Sequence, residues 1–515
     1  MIRLYVQSTH TKVVYDQAKL PEITKSEKIL TTKFSAKDTS LSNTTLVKRK
    51  IASDVRSFYN TDYNILPTGF LPFLEHYYNQ EGLEYTIVEM RKFSGVNKEF
   101  LKVLMSGKLV IGSKKEIPRD YQREATYEVI KSRGGLIELP TGTGKSQIIA
   151  LLCNAYSKAR ILIIENSIDL IKQTYEKLVD YEISPKEIGV IQGVNDDDTK
   201  RITLLSAQSY EKAFGLFPYI NVIISDEVHE NGRTPTAEKI IFSCQRAAIR
   251  IGLSATIEAI DNPYEQMRVY GNFGPIIYQR EITQQIAEDS LTKTKVQIYS
   301  YPAELVQIVG SWGDKYDNVR VSKKNPAVDL KKKGYEIVKI KGKEVGKKFL
   351  YYGDEYNHFV NNKDRNAKII EVINKFVEQK KRILVLFNRI EHGEILKKLY
   401  PKGILIHGQN DNQARQEAEN HLREHEATVV FASKIWAKGK DIEEIDVAIN
   451  AAGLHSTVNV IQKLGRTTRK SRTTDKTEAI YVDFNDAVLS PIGRKQARKR
   501  LDIYQNKLQL PVEYL

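Results

Sequence analysis

A lysine followed by a hydroxyl residue can hold a polyphosphate together with a hard cation. Lys145-Ser146 stands at the end of Leu139-Pro140-Thr141-Gly142-Thr143-Gly144. The two glycines let the backbone curl so that successive N–H groups face an anion. Lys145 is expected to reach the outer phosphates, and the Ser146 hydroxyl to ligate Mg²⁺. Upstream, Gly135-Leu136-Ile137-Glu138 reads as a short buried strand, and downstream Gln147 to Leu152 opens an apolar helix. A strand, a glycine loop and a helix N-terminus together form a ready anion site, a context that a chance glycine turn before a lysine does not require. Leu139 stands where the strict pattern has its first glycine.

A carboxylate pair comes next. Asp226-Glu227-Val228-His229 follows the apolar run Val222-Ile223-Ile224-Ser225. Ligands of open α/β sheets bind just past the carboxyl ends of the strands. Asp226 is expected to hold Mg²⁺, mostly through water, and Glu227 to orient and deprotonate an attacking water. Ser254-Ala255-Thr256 closes another apolar run, where small hydroxyls can hydrogen-bond the acidic pair and sense a terminal phosphate. Far downstream, Arg466 and Arg469 share a helix face with Gln462 beside it. Guanidiniums suit bidentate phosphate contact and stabilisation of transition-state charge. Ahead of the loop, the Gln122 amide can read the edge of a base, with Arg119 or Tyr121 stacking on it. Each signal has a plainer reading: an acidic turn, a strand-to-loop turn, two surface arginines.

The elements that must position these groups alternate. Residues 113–290 run strand, helix, strand, helix, as in a doubly wound parallel sheet. A second α/β unit at 361–489 holds the runs Ile383–Phe387, Gly403–Ile406, Thr428–Ser433 and Val447–Asn450. Residues 1–112 read as a small α+β module, with loops expected over 20–45 around a short strand. Lys48, Arg49, Lys50, Arg56, Tyr59 and Tyr63 there suit DNA backbone contact or an ordinary solvated face. Residues 291–360 are a basic linker or insertion carrying Lys331-Lys332-Lys333, with Gly342 at the centre of an expected hairpin. Residues 490–515 read as a basic C-terminal helix, its basic face on solvent or DNA.

The 515-residue chain carries a net charge of +15, which favours a polyanionic partner. Only two cysteines occur, so no disulfide framework is expected and a reducing cytosol fits. No run is long and apolar enough to suggest a membrane span.

In this order, the stretches resemble the motifs of superfamily 2 helicases and translocases. Tyr121-Gln122 resembles the Q motif, Pro140 to Ser146 motif I, Asp226 to His229 the DExH form of motif II, and Ser254 to Thr256 motif III. Gly439 and Asp441 fit motif V, and Gln462, Gly465, Arg466 and Arg469 fit motif VI. Within the superfamily the chain is most similar to phage helicases of the UvsW type, and more distantly to XPB and RecG. Tyr270 to Pro275 and Asp364 to Ile369 carry that likeness. Glu165-Asn166-Ser167 departs from it, standing where motif Ia usually has Pro-Thr.

The resemblance implies two tandem RecA-like doubly wound lobes that use ATP and Mg²⁺ to act on branched or forked DNA, in a monomer. The host cytoplasm is implied if the chain is phage-encoded. It assigns Lys145, Asp226, Glu227, Gln462, Arg466 and Arg469 to catalysis. Arg119, Tyr121, Gln122, Pro140 to Ser146, Gly439 and Asp441 would bind nucleotide. His229, Ser254, Ala255 and Thr256 would couple nucleotide state to movement. An RNA helicase, the motor subunit of a restriction or nuclease complex, and a DNA-binding scaffold with a dead nucleotide site are the alternatives.

Overall fold

The computed structural model describes the chain apart from residues 43, 45–46, 48–51, 114, 194, 198–199, 282–283, 286–290, 303–335, 341–342, 348–351, 411, 434–443, 454–463, 465–475, 477 and 489–490. It divides into two compact units, one holding Met1–Leu291 and the other Thr292–His455 and Arg466–Leu515. Among the described residues no helix is long and apolar enough to cross a membrane.

In the first unit, the amino-terminal module is a four-stranded sheet. Ile2–Val6 pairs antiparallel with His10–Tyr15 and parallel with Tyr85–Glu89, and Ile65–Pro67 closes the other edge. The stretch expected to be loops is instead a helix, Leu20–Lys33. Pro21 lies in its first turn, where a missing N–H costs nothing. Ile29 and Leu30 turn inward with Phe34, while the Lys and Thr residues that made the segment look loop-like stay outside. Tyr59 is buried and donates to Asn64 Oδ1, so this expected DNA contact serves packing, whereas Arg56 lies over the Tyr264 ring with its side chain half exposed. Tyr63 is exposed. Lys48, Arg49 and Lys50 lie outside the described residues.

The module docks on the helix Pro263–Phe273. Phe58 stacks on Tyr264, Phe73 meets Tyr270, and Asn262 donates to Asp38 at 3.0 Å with both side chains buried. Gly69 abuts the carbonyls of Tyr270 and Gly271 so closely that a Cβ there would collide with backbone.

The rest of this unit is an eight-stranded sheet in the order Asn195–Asp196, Ile188–Gln192, Ile202–Ser206, Ile161–Glu165, Val222–Ser225, Ile249–Ser254, Gly135–Glu138, Ile276–Gln279. All pairings are parallel except that of the two-residue edge strand. Helices cover both faces, so the central strands are continuous apolar runs.

The second unit holds a seven-stranded parallel sheet in the order Ile404–Ile406, Val429–Ser433, Ile383–Phe387, Val447–Asn450, Glu478–Phe484, Lys293–Tyr299, Val512–Tyr514. Two of its strands fall in segments the sequence reading set apart. Lys293–Tyr299 belongs to this sheet rather than to a linker, and Val512–Tyr514 follows the C-terminal helix as an edge strand. Glu336–Ile340 and Lys343–Lys347 pair antiparallel with Ile340 opposite Lys343, the register of the expected hairpin. Helix Pro491–Asp502 exposes Arg494, Lys495, Arg498 and Lys499 but buries Arg500, so its basic residues do not share one environment.

Candidate active site

The carboxyl ends of adjacent strands in the first sheet bring motifs I, II and III side by side. Glu138 lies opposite Ser254, and Leu139 N donates to Ser254 O at 2.8 Å. Ser225 lies opposite Gly252 on one side and Ile164 on the other, which sets Asp226 at the rim level with Leu253 and Glu165, one residue short of Ser254.

The phosphate loop is fixed from within and from behind. Gly142 and Gly144 have φ of 88° and 80°, a region that L side chains rarely adopt. The Thr143 hydroxyl donates to Pro140 O at 2.7 Å, and Lys145 Nζ, nearly buried, donates to Leu139 O at 3.3 Å. The Tyr121 hydroxyl and Gln122 Nε2 both donate to Thr143 O, at 2.7 and 3.0 Å. Gln122 Oε1 in turn accepts from Arg119 N at 2.9 Å, and Arg119 Nη1 donates to the Tyr121 hydroxyl at 3.2 Å. The residues expected to read a base therefore brace the loop, and a Cβ at position 144 would strike the Gln122 amide.

The carboxylate pair sits on strained backbone. Glu227 has φ 45° and ψ 50°, a left-handed conformation that costs a non-glycine residue about 1–3 kcal/mol. Its N–H donates to Asp226 Oδ1 at 2.9 Å, and Asn231 Nδ2 ties Asp226 O and Ile164 O together at 3.0 and 3.3 Å. Burial, then the neighbouring Glu227, pushes the Asp226 carboxyl above its usual range, and Lys145 holds it back. His229 is buried, its Nδ1 2.8 Å from Ser254 Oγ and 3.4 Å from Glu227 Oε2. Thr256 N donates to Ser254 Oγ at 3.0 Å. Of this set His229 approaches Glu227, while the Ser254 hydroxyl meets His229 rather than the acidic pair and Ala255 lies half-buried between its two hydroxyl neighbours.

Two further carboxylates escaped the sequence reading as site residues. Glu165 is fully buried. It accepts from the Thr174 hydroxyl at 2.7 Å, and burial followed by Asp226 pushes it well above the carboxylate range. Glu138 is pushed up to about 7, mainly by burial, with Glu258 adding and the amides of Glu258 and Ile257 opposing. The signal for both was a lone acid ending an otherwise apolar strand.

Several buried polar atoms here have no hydrogen-bond partner: Glu165 Oε2, Glu227 Oε2, Thr256 Oγ1 and Gln147 Nε2. Such atoms cost stability unless something fills the site. Beside a left-handed glycine cradle and a lysine, the amide and hydroxyl donors fit a phosphate group and the carboxylate oxygens its Mg²⁺. Gly439, Asp441, Gln462, Gly465, Arg466 and Arg469 lie outside the described residues.

Two family models match the chain: "Type III restriction enzyme, res subunit" over residues 115–259 and "Helicase conserved C-terminal domain" over residues 364–471. The chain belongs to the superfamily 2 helicases. It is an ATP-driven helicase enzyme. This helicase is 28% identical over 377 residues to "DNA 3'-5' translocase XPB2" of Sulfurisphaera tokodaii, covering 71% of this chain and 81% of that protein. It is 24% identical over 452 residues to "ATP-dependent DNA helicase uvsW" of Enterobacteria phage T4, covering 83% and 80%. In fold the helicase is similar to S. cerevisiae Dbp5 bound to RNA and ADP BeF3, with a TM-score of 0.51, 13% identity, and coverage of 82% of this chain and 94% of that one.

Proposed function

We propose that the chain is an ATP-dependent DNA helicase or translocase that remodels branched DNA by fork reversal, branch migration and R-loop removal. The observation that carries the reading is the rim of the first sheet, where Lys145, Asp226, Glu227 and the His229–Ser254 pair stand on neighbouring strand ends. Similarity over most of the chain to two proteins named for DNA supports the choice of nucleic acid.

In this reading the loop amides and Lys145 bind the ATP phosphates, while Ser146 and Asp226 hold Mg²⁺. The bound cation would neutralise phosphate charge as the terminal bond breaks. Glu227 orients the attacking water and takes its proton at a carboxylate oxygen. His229, fixed by Ser254, reports the state of that base to the second lobe. Arg466 and Arg469 supply guanidiniums to the developing charge, with Gln462 beside them and Gly439 and Asp441 on the nucleotide.

The test measures ATP hydrolysis and strand products on forks, four-way junctions, tailed duplexes and single-stranded RNA. Strong stimulation by branched DNA is expected. Lys145→Ala and Glu227→Gln should each lower stimulated hydrolysis by roughly 10²-fold or more while fork binding survives. Stimulation by RNA alone, or persistent hydrolysis in both variants, contradicts the assignment.

A further inference from the structure

Glu138 ends the strand that feeds the phosphate loop, yet its side chain turns away from the loop. The carboxylate is buried, 7% exposed. Oε1 accepts from Ile257 N at 2.5 Å and Glu258 N at 3.2 Å, the two amides that follow Ser254-Ala255-Thr256. Oε2 accepts from Gln279 Nε2 at 3.1 Å, and that same amide lies 3.4 Å from Glu258 Oε2. One side chain thus binds the exit of motif III to the edge strand Ile276–Gln279, while its own backbone runs into Leu139, the carbonyl partner of Lys145.

What the clasp holds can be followed atom by atom. Fixing Ile257 and Glu258 fixes the turn in which Thr256 N meets Ser254 Oγ. That oxygen is the partner of His229 Nδ1, and His229 Nδ1 lies 3.4 Å from Glu227 Oε2. Backbone amides freed from the carboxylate would let the turn shift, the serine would leave the imidazole, and the imidazole would no longer limit where the Glu227 carboxylate points. The phosphate loop has its own braces, Tyr121, Gln122 and the Thr143–Pro140 bond, none of which passes through Glu138.

We propose that Glu138 is a positioning residue for hydrolysis: its carboxylate clasps the two amides after motif III and thereby sets, through Ser254 and His229, the aim of the Glu227 base. This rests on the assignment of Glu227 as the base in the proposed function. It separates turnover from binding, because the nucleotide cradle is held independently.

The test compares Glu138→Ala, Glu138→Gln and wild type in the full chain. ATP hydrolysis is measured with and without fork DNA, and competent molecules are counted by titration with a fluorescent nucleotide. Glu138→Ala should lower kcat about tenfold or more, with KM for ATP changed less than about twofold, since small misplacements of a reacting group are costly. Glu138→Gln keeps an acceptor oxygen for the two amides and should recover most of kcat. Hydrogen exchange provides a readout independent of turnover: the amides of Ile257 and Glu258 should exchange at least about fivefold faster in the alanine variant and not in the glutamine variant. A variant that merely folds poorly would lose nucleotide sites and kcat per site would stay normal, which overturns the inference. Unchanged kcat in the alanine variant, unchanged exchange, or a glutamine variant as impaired as alanine overturns it as well. A wild type without DNA-stimulated hydrolysis would instead overturn the functional reading and this inference with it.

Discussion

The two parallel sheets treat buried charge at their strand ends in opposite ways. In the first, Glu138, Glu165, Asp226 and Glu227 gather within a few residues of one rim, and the cation holding Asp226 down is chiefly Lys145. In the second, Asp483 and Asp486 meet Arg365 and Arg500 one for one. Arg500 Nε donates to Asp483 at 2.7 Å and its Nη2 to Asp486 at 2.9 Å, while Arg365 Nε donates to Asp486 at 2.8 Å. The hydroxyls of Tyr504 and Tyr301 and the Asn450 amide occupy the remaining carboxylate positions. All four of these side chains are essentially without solvent contact. The carboxylates of the second sheet are held by guanidiniums; in the first, Glu138 and Glu165 are held by amides and a hydroxyl, and in the proposed function Asp226 is left for a cation that comes and goes. Burial disfavours the charged forms of Glu138, Glu165 and Asp226 in the first sheet, and the second uses its acids to fasten Arg500 of the C-terminal helix to the sheet.

The same chemical change in the two sheets should therefore have opposite signs. Asp486→Asn leaves Arg500 and Arg365 short of a counter-charge, and breaking a buried pair in this way costs about 3–5 kcal/mol. Amide exchange in the strand Glu478–Phe484 is expected to accelerate accordingly. Asp226→Asn removes a charge whose folded form is disfavoured, so with Mg²⁺ absent it should slow exchange in Val222–Ser225 by an amount worth on the order of 1–2 kcal/mol. It should also abolish the stabilisation that Mg²⁺ and ATP give the wild type. Equal signs in the two sheets would break the comparison.

A smaller effect tests the pH arm. A carboxyl raised from the ordinary glutamate value to about 7 holds its proton in the folded state after the unfolded chain has lost it. Its stabilising share is full below the unfolded value and disappears as pH rises through about 7. Glu138→Gln has no such loss, so its melting temperature relative to wild type should climb between roughly pH 5 and pH 8, by up to about 3 kcal/mol in stability. A flat difference across that range would show that the carboxyl is not strained by burial.

Much of the first sheet is legible in the sequence because its strands are uninterrupted apolar runs and its loop needs glycines at two left-handed positions. The DExH pair is legible because it follows such a run directly. Other features depend on partners distant in the chain. Lys293–Tyr299 looks like part of a lysine-rich linker until Glu478–Phe484 pairs with it in parallel. Arg500 reads as one more basic residue in a basic tail, although Gly493, Gln496 and Arg500 recur at the spacing of one buried helix face. Glu138 and Glu165 carry no motif of their own, and only the packing shows which amide or hydroxyl each one meets. Tyr59 reads as a DNA-backbone contact because a tyrosine among basic residues does not by its type distinguish a nucleic-acid face from a core.

Phe58, Phe73 and Asp38 of the amino-terminal module meet Tyr264, Tyr270 and Asn262. Met267 packs into the same cluster. A shortened chain beginning near residue 113 would bare this whole strip of aromatic and aliphatic surface to water. The motor cannot simply be trimmed out as a minimal fragment. It would have to be re-engineered along one helix before it stayed in solution, and kinetics measured on an untreated fragment would report a damaged surface rather than a simpler machine.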